Sequence, residues 1–154
     1  MLENASSRGL RFECQQCSYC CTGSPGFVWL SDADIASLCA FFAMDLEEFF
    51  RNYCRAVEVD GGTALSLREK SGYDCIFLAG GRCSVYSVRP VQCRTYPFWE
   101  EILDTEASWE SEGRCCPGIG AGALVPPEKI ATVFLEMRAH PRRVFMKAES
   151  GGER

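Results

Sequence analysis

Four cysteines near the amino terminus have the spacing of a metal-binding knuckle: Cys14, Cys17, Cys20 and Cys21. At Cys-x2-Cys spacing, two sulfurs converge while the backbone amides between them offset the thiolate charge. The consecutive pair Cys20-Cys21 is hard to direct to one tetrahedral ion, because neighbouring side chains diverge in most backbone conformations. The knuckle therefore predicts a metal site that holds two metals, or one cluster and one ion.

Further cysteines lie in the second half of the chain, at Cys75, Cys83, Cys93 and the pair Cys115-Cys116. They are distant in sequence from the knuckle, so only the fold can bring the two groups together. We therefore expect metal binding to be coupled to folding.

Two cysteines have no cysteine neighbour at chelating distance. Cys39 and Cys54 lie on or beside apolar stripes with helical spacing, and a free cysteine is among the most often buried residue types. We interpret both as packing residues.

The composition indicates one globular domain, because the chain has 154 residues of which 47% are hydrophobic. We expect this domain to span residues 1–146 and to end in a disordered tail, 147–154, of small, charged and glycine residues. The formal net charge of -5 argues against a nucleic-acid partner.

The cysteine usage also predicts a location. Residues 1–13 contain no apolar run, so we expect neither a signal peptide nor a membrane anchor, and no membrane partner. An odd total of eleven cysteines cannot form a fully paired disulfide framework. We therefore expect a cytoplasmic protein with reduced thiols.

Start signals predict two helices in the first third. Ser31 and Asp34 resemble a capping box ahead of a helix over 32–43. Asp45 and Glu48 repeat the signal, and an apolar helical stripe then continues as far as Val57.

Turn signals predict two small β-hairpins. The first pairs 57–59 with 63–67 around the turn 60–62, and the second pairs 75–78 with 83–86 around 79–81. The second hairpin places Cys75 and Cys83 on opposite arms as one chelating pair. A short strand is expected at 27–30.

The remaining segments complete an α+β prediction: a small metal-organised domain with short helices, two hairpins and long loops around a cysteine cluster. Pro90 opens a short helix that carries Cys93. The chain is predicted to be loop-like from Trp109 to Gly118, and Pro127 opens a last amphipathic helix that Pro141 ends.

Three further features are weighed for chemistry. Gly118, Gly120 and Gly122 spell a nucleotide-loop pattern without the strand and helix that it requires, which favours a flexible loop after Cys116. His140, the only histidine, stands at a helix end and is expected to face solvent. Four arginines near cysteines either stabilise thiolates by charge-assisted hydrogen bonds or face solvent: Arg82, Arg89, Arg94 and Arg114.

Four ordered blocks resemble the YkgJ-like cysteine-cluster family, which is described as zinc- or iron-chelating. They are the Cys14–Cys21 knuckle, Cys75-Ile-Phe-Leu, the run from Cys83-Ser-Val-Tyr to Cys93-Arg-Thr-Tyr-Pro-Phe, and Cys116-Pro-Gly-Ile-Gly. One departure is Ser18, where relatives often have glycine. A non-glycine residue there restricts a left-handed knuckle.

The resemblance implies eight metal ligands and leaves Cys115 as a bystander or a replacement for Cys116. The implied ligands are Cys14, Cys17, Cys20, Cys21, Cys75, Cys83, Cys93 and Cys116. Eight thiolates divide into two four-cysteine sites, each suited to zinc or to an iron-sulfur cluster. Arg89 and Arg94 are the candidate cofactor-binding cations.

Three functions stay open on the sequence. The first is a metal-binding protein with a redox, electron-transfer or metal-delivery role. The second is a structural zinc module for a protein partner. The third is an enzyme or a component of a protein lysine methylation system, because related cysteine clusters occur in flagellin lysine N-methylases.

Overall fold

The computed structural model describes residues 6–147, and these form an α+β fold, as predicted. The predicted tail lies outside the described residues, apart from Lys147. No helix in the described range is long and apolar enough to cross a membrane. The helices are α1 Asp32–Phe42, α2 Leu46–Tyr53, α3 Val91–Thr95, α4 Glu100–Leu103, α5 Glu106–Gly113 and α6 Pro127–Ala139. The strands are β1 Leu10–Phe12, β2 Cys54–Val59, β3 Gly62–Leu67, β4 Leu78–Ala79, β5 Arg82–Cys83, β6 Ile119–Val125 and β7 Val144–Met146.

The strands form three small antiparallel sheets. One has the order β2-β3-β7, and the other two are the pairs β1-β6 and β4-β5. Short 3-10 helices lie at Ser6–Arg8, Tyr19–Cys21 and Tyr86–Val88.

Two hydrophobic clusters stabilise the fold. The first joins α1, α2 and β3 through buried Leu38, Phe49 and Leu65. The second joins α4, α5 and α6 through Leu103, Trp109 and Ile130. Each fully buried side chain of this size contributes about 1.5–3 kcal/mol.

The helix start signals are confirmed. The Ser31 hydroxyl accepts from the Asp34 amide and the Asp34 carboxylate accepts from the Ser31 amide, which completes the capping box of α1. The helical stripe to Val57 is wrong, because α2 ends at Tyr53 and β2 begins at Cys54. The β-branched Val57 and Val59 instead alternate along a strand that pairs with β3.

Both hairpins are present, and the second is shorter than predicted. In it only Leu78 and Ala79 pair with Cys83 and Arg82, around the turn at Gly80 and Gly81. The predicted strand at 27–30 is an extended segment with one isolated bridge, between Trp29 and Ser66.

The loop predicted from Trp109 to Gly118 is present only over residues 114–118. Helix α5 continues to Gly113, and the glycine-rich segment belongs to β6, which pairs with β1. A Cβ atom at Gly118 would lie 2.6 Å from the carbonyl oxygen of Glu13, so this glycine allows the close approach of the chain that leads into Cys14.

A buried carboxylate joins α1 to α3. Asp34, 3% exposed, accepts 2.9 Å hydrogen bonds from the amides of Ser31 and Val91. Its Oδ1 also lies 3.6 Å from Nη1 of Arg94. These contacts set the start of the helix that carries Cys93.

Replacing Asp34 with alanine should lower the free energy of unfolding by about 2–4 kcal/mol, because two buried amides and one guanidinium lose their partner. Asp45 is a matched control, since its exposed carboxylate caps α2 alone through the Glu48 amide at 2.8 Å. Asp45→Ala should cost about 1 kcal/mol. Urea unfolding measures both variants, and equal losses would contradict the buried link.

Candidate metal centre

The cysteine knuckle is held at both ends by segments that carry later cysteines. The Glu13 amide donates to the carbonyl of Gly118 at 3.0 Å, beside Cys116. At the other end, the Cys75 amide donates to the carbonyl of Cys21 at 2.8 Å. These long-range bonds place the knuckle against the second half of the chain.

One backbone amide of the knuckle points at a cysteine sulfur. The Gln16 amide lies 3.4 Å from Sγ of Cys14. Gln16 and Ser18 both have positive φ, at 50° and 68°. This left-handed geometry costs a non-glycine residue about 1–2 kcal/mol, and the Ser18 hydroxyl offsets part of it by donating to the carbonyl of Gly81 in the β4-β5 turn.

Cys75 lies before the second hairpin, not on one of its arms as predicted, and Cys83 ends it. The Phe77 amide acts to lower the pKa of Cys75, and the Val85 amide acts to lower the pKa of Cys83. Each donor lies two residues after its cysteine, as Gln16 does after Cys14. Amides in this position stabilise thiolates.

Cys93 lies on α3, the short helix that follows Pro90. The adjacent Gln92 fixes this helix, because its side chain accepts from the Trp29 amide at 3.0 Å and donates to the Phe27 carbonyl at 2.8 Å. These two hydrogen bonds hold the helix, and therefore Cys93, in place.

One cavity of about 120 Å³ collects the cysteines. Its lining contains all eight of the implied ligands: Cys14, Cys17, Cys20, Cys21, Cys75, Cys83, Cys93 and Cys116. Cys115 is exposed and does not line it, whereas its neighbour Cys116 is 5% exposed and does. Cys54 is buried in the first cluster and Cys39 packs against that cluster, in agreement with the packing interpretation.

Contacts between sulfurs lower the pKa of Cys20 and Cys83 and raise the pKa of Cys21. The Cys21 thiol hydrogen-bonds both neighbours, which lowers the pKa of Cys20 to about 7 and that of Cys83 to about 6. Cys21 itself has a strongly raised pKa, because it donates to Cys20 and Cys83. One neutral thiol therefore stabilises two flanking thiolates.

Cys75 and Cys93, which are more deeply buried, favour the neutral thiol form. Burial is the main cause that raises the pKa of Cys75 and of Cys93, and the charges of neighbouring thiolates raise both further. A metal ion would reverse this preference, because its charge compensates for the lost hydration.

The two candidate cations have different surroundings. Arg89 lies 3.8 Å above the ring of Tyr86, and its charge favours the thiolate forms of Cys20, Cys83 and Cys93. Arg94 also lines the cavity, but its guanidinium lies 2.7 Å from Glu136 and 3.6 Å from Asp34. Of the other arginines beside cysteines, neither Arg82 nor Arg114 lines the cavity.

Tyrosines lie near the outer cysteines. In the sequence, Tyr86 and Tyr96 were open to two interpretations, a shield for the cluster or ordinary core packing, and Tyr19 was not a candidate. The Tyr96 hydroxyl donates to the Glu112 carboxylate. Interaction with the Cys14 sulfur is the first cause that raises the pKa of Tyr86, and burial is the first cause that raises the pKa of Tyr96. Interaction with the Cys115 sulfur is the main cause that raises the pKa of Tyr19 to about 12. The Cys-x2-Cys pattern identifies cysteines only. The nearest cue in the sequence was a tyrosine three residues after Cys83 and another three residues after Cys93.

The donor set fits zinc or iron chemically, since soft thiolates with amide and guanidinium support are ligands of both metals. Among residues 6–147, no three cysteine, histidine, aspartate or glutamate side chains are arranged so that they could hold a metal ion directly. His140 lies apart from the cysteines, and its Nδ1 is 2.9 Å from the carbonyl of Glu136.

The match to known proteins covers the part of the chain that builds this cavity. No solved structure matches the chain. The model of the CxxCxxCC family, described as "Putative zinc- or iron-chelating domain", matches residues 13–117. This range includes all eight cysteines of the cavity and more than half of the sequence, and the protein belongs to the CxxCxxCC family.

Proposed function

We propose that this protein holds an iron-sulfur cluster, zinc, or one of each through Cys14, Cys17, Cys20, Cys21, Cys75, Cys83, Cys93 and Cys116. The observation that supports this most is the single cavity whose lining includes these eight thiols and excludes the other three cysteines. Membership of a zinc- or iron-chelating family supports metal binding in general.

The knuckle favours an iron-sulfur cluster over zinc alone. Three cysteines at Cys-x2-Cys-x2-Cys spacing and a distant Cys116-Pro117 resemble a ferredoxin arrangement, whereas structural zinc more often uses two separate Cys-x2-Cys pairs. Arg89 supports either metal by compensating thiolate charge. A bound cluster would supply one-electron transfer, and zinc would supply a redox-silent cross-link.

We place the protein in the cytoplasm, in a redox, electron-transfer or metal-delivery role. Three cysteines of the knuckle are exposed, so metal or electrons have access from solvent. A structural zinc module that serves a protein partner is the second candidate. The backbone links from the knuckle to Cys75 and Gly118 favour it, because a metal there would join segments distant in sequence.

The deciding measurement is iron, zinc and acid-labile sulfide per chain in protein purified without oxygen. Iron with an equal amount of sulfide is the expected result and would support the redox role. Zinc alone would support the structural module. Absence of both metals under these conditions would contradict the proposal.

A further inference from the structure

A second cleft, of about 360 Å³, lies outside the cysteine cavity. It opens between α3, the start of α4 and the end of α6, and none of its lining residues is a cysteine. Its volume is that of an ordinary small-molecule site. Its carboxy-terminal wall, with Met137, His140 and Arg142, lies beyond the residues that match the family model.

Two tryptophans line the cleft. The Trp29 amide donates to the Gln92 side chain at 3.0 Å, and Nε1 of Trp99 donates to the Gln92 carbonyl at 3.0 Å. Gln92 therefore fixes both residues. The Trp29 ring already stacks on Phe27, with 4.7 Å between ring centroids, and carries the Arg142 guanidinium, so Trp99 is the flat wall that suits a planar apolar group.

Arg142 supplies a cation at the cleft. Its guanidinium lies 4.6 Å from the ring centre of Trp29, and the next residue is anchored because the Arg143 amide donates to the Leu30 carbonyl at 2.8 Å. Within residues 6–147, the Arg142 side chain forms no ion pair or hydrogen bond. Stacking on the ring leaves the edge N–H groups available to a carboxylate.

Two acceptors line the same cleft. His140 directs Nδ1 to the Glu136 carbonyl, so Nδ1 carries the proton and Nε2 of the neutral ring is an acceptor. Glu101 is exposed and has no partner among the described side chains. Both groups suit an ammonium donor, and Glu101 would repel a ligand that is only anionic.

We propose that this cleft binds an α-amino acid with a flat apolar side chain. Arg142 takes the carboxylate, Glu101 and His140 take the ammonium, and the side chain lies against Trp99. The requirement for both charges follows from the opposite charges of Arg142 and Glu101, which line one cleft without pairing with each other.

Intrinsic fluorescence of the full chain, purified with its metal, tests this site. Trp109, the third tryptophan, is buried in the second cluster and should give a constant background. The probes are L-phenylalanine, N-acetyl-L-phenylalanine without the ammonium, and L-phenylalaninamide without the carboxylate. We expect L-phenylalanine to give a saturable change, and each altered probe to bind about tenfold more weakly or worse, because a charge-assisted contact is lost.

Matched surface variants assign the contacts. Arg142→Gln and Glu101→Gln should each weaken L-phenylalanine binding at least about tenfold, whereas Arg138→Gln and Glu100→Gln should leave it unchanged. Circular dichroism checks folding, and all four residues are exposed.

Three results would overturn the proposal. The first is no saturable change up to about 10 mM L-phenylalanine. The second is equal binding of all three probes, which would show recognition of the ring alone. The third is equal effects of the cleft variants and their controls. Because none of these results depends on the number of metals bound, the cleft can fail while the metal assignment holds.

Discussion

Cys93→Ala should remove one metal ion or a whole cluster from each chain and should sharply lower stability. Cys93 lines the cavity from α3, and no other cysteine on this helix can replace it. Four-cysteine sites use every thiolate, so loss of one ligand opens the coordination shell. Where folding and metal binding are coupled, the binding energy contributes to folding, at about 10–16 kcal/mol for zinc in small domains.

Metal content per chain and thermal unfolding, measured on the same preparation, check this prediction. Cys39→Ala is the matched control, since it makes the same chemical change at a thiol that packs against the first cluster. It should keep the full metal content and cost about 1 kcal/mol, the order expected for a small loss of packing. Full metal content in Cys93→Ala, or loss of metal in Cys39→Ala, would contradict the ligand assignment.

Local signals were sufficient where neighbours in sequence decide the structure. The capping box at Ser31 and Asp34 started α1 where expected, and Pro127 opened α6. The turn at Gly61 joined two alternating strands into the β2-β3 hairpin. In each case the capping or turn residues lie within a few positions of the bonds that they make.

Long-range pairing could not be predicted in this way. Strand β6 exists because β1, more than a hundred residues earlier, pairs with it, and its glycines suggested a loop when taken alone. The same limit applies to Asp34, whose second amide partner is Val91. Sequence spacing thus identified the knuckle but not the long-range hydrogen bonds to Gly118 and Cys75 that hold it.

The sequence could not separate the roles of Arg89 and Arg94 at the cysteine cavity. Arg89 and Arg94 were equivalent candidates in sequence, because each lies near Cys93. In the fold, Arg94 contacts Asp34 and Glu136, while the charge of Arg89 acts on cysteines of the cavity. Arg94 lies on α3, whereas Arg89 follows the 3-10 helix Tyr86–Val88, so their positions in the fold separate the two.

Arg89→Gln should weaken metal binding about 10- to 100-fold, the usual effect of removing a group that supports metal ligands. The low pKa values of Cys83 and Cys20, about 6 and about 7, arise first from the Cys21 hydrogen bond and then in part from Arg89. Removing the guanidinium raises both pKa values, so protons compete better with the metal. Arg82→Gln is the control, because Arg82 adjoins Cys83 but is exposed and does not line the cavity.

The pH dependence separates charge support from a general loss of structure. The lowered pKa values stabilise the metal-free fold fully above the unfolded thiol pKa, about 8.5, and this contribution is lost as the pH falls through about 7 and about 6. The affinity ratio between wild type and Arg89→Gln should therefore be largest near pH 6 and should shrink above about pH 9, where both proteins have ionised thiols at these positions. Competition with a chromophoric chelator at several pH values measures this ratio. A ratio that stays constant with pH would mean that Arg89 acts through packing on Tyr86 rather than through its charge.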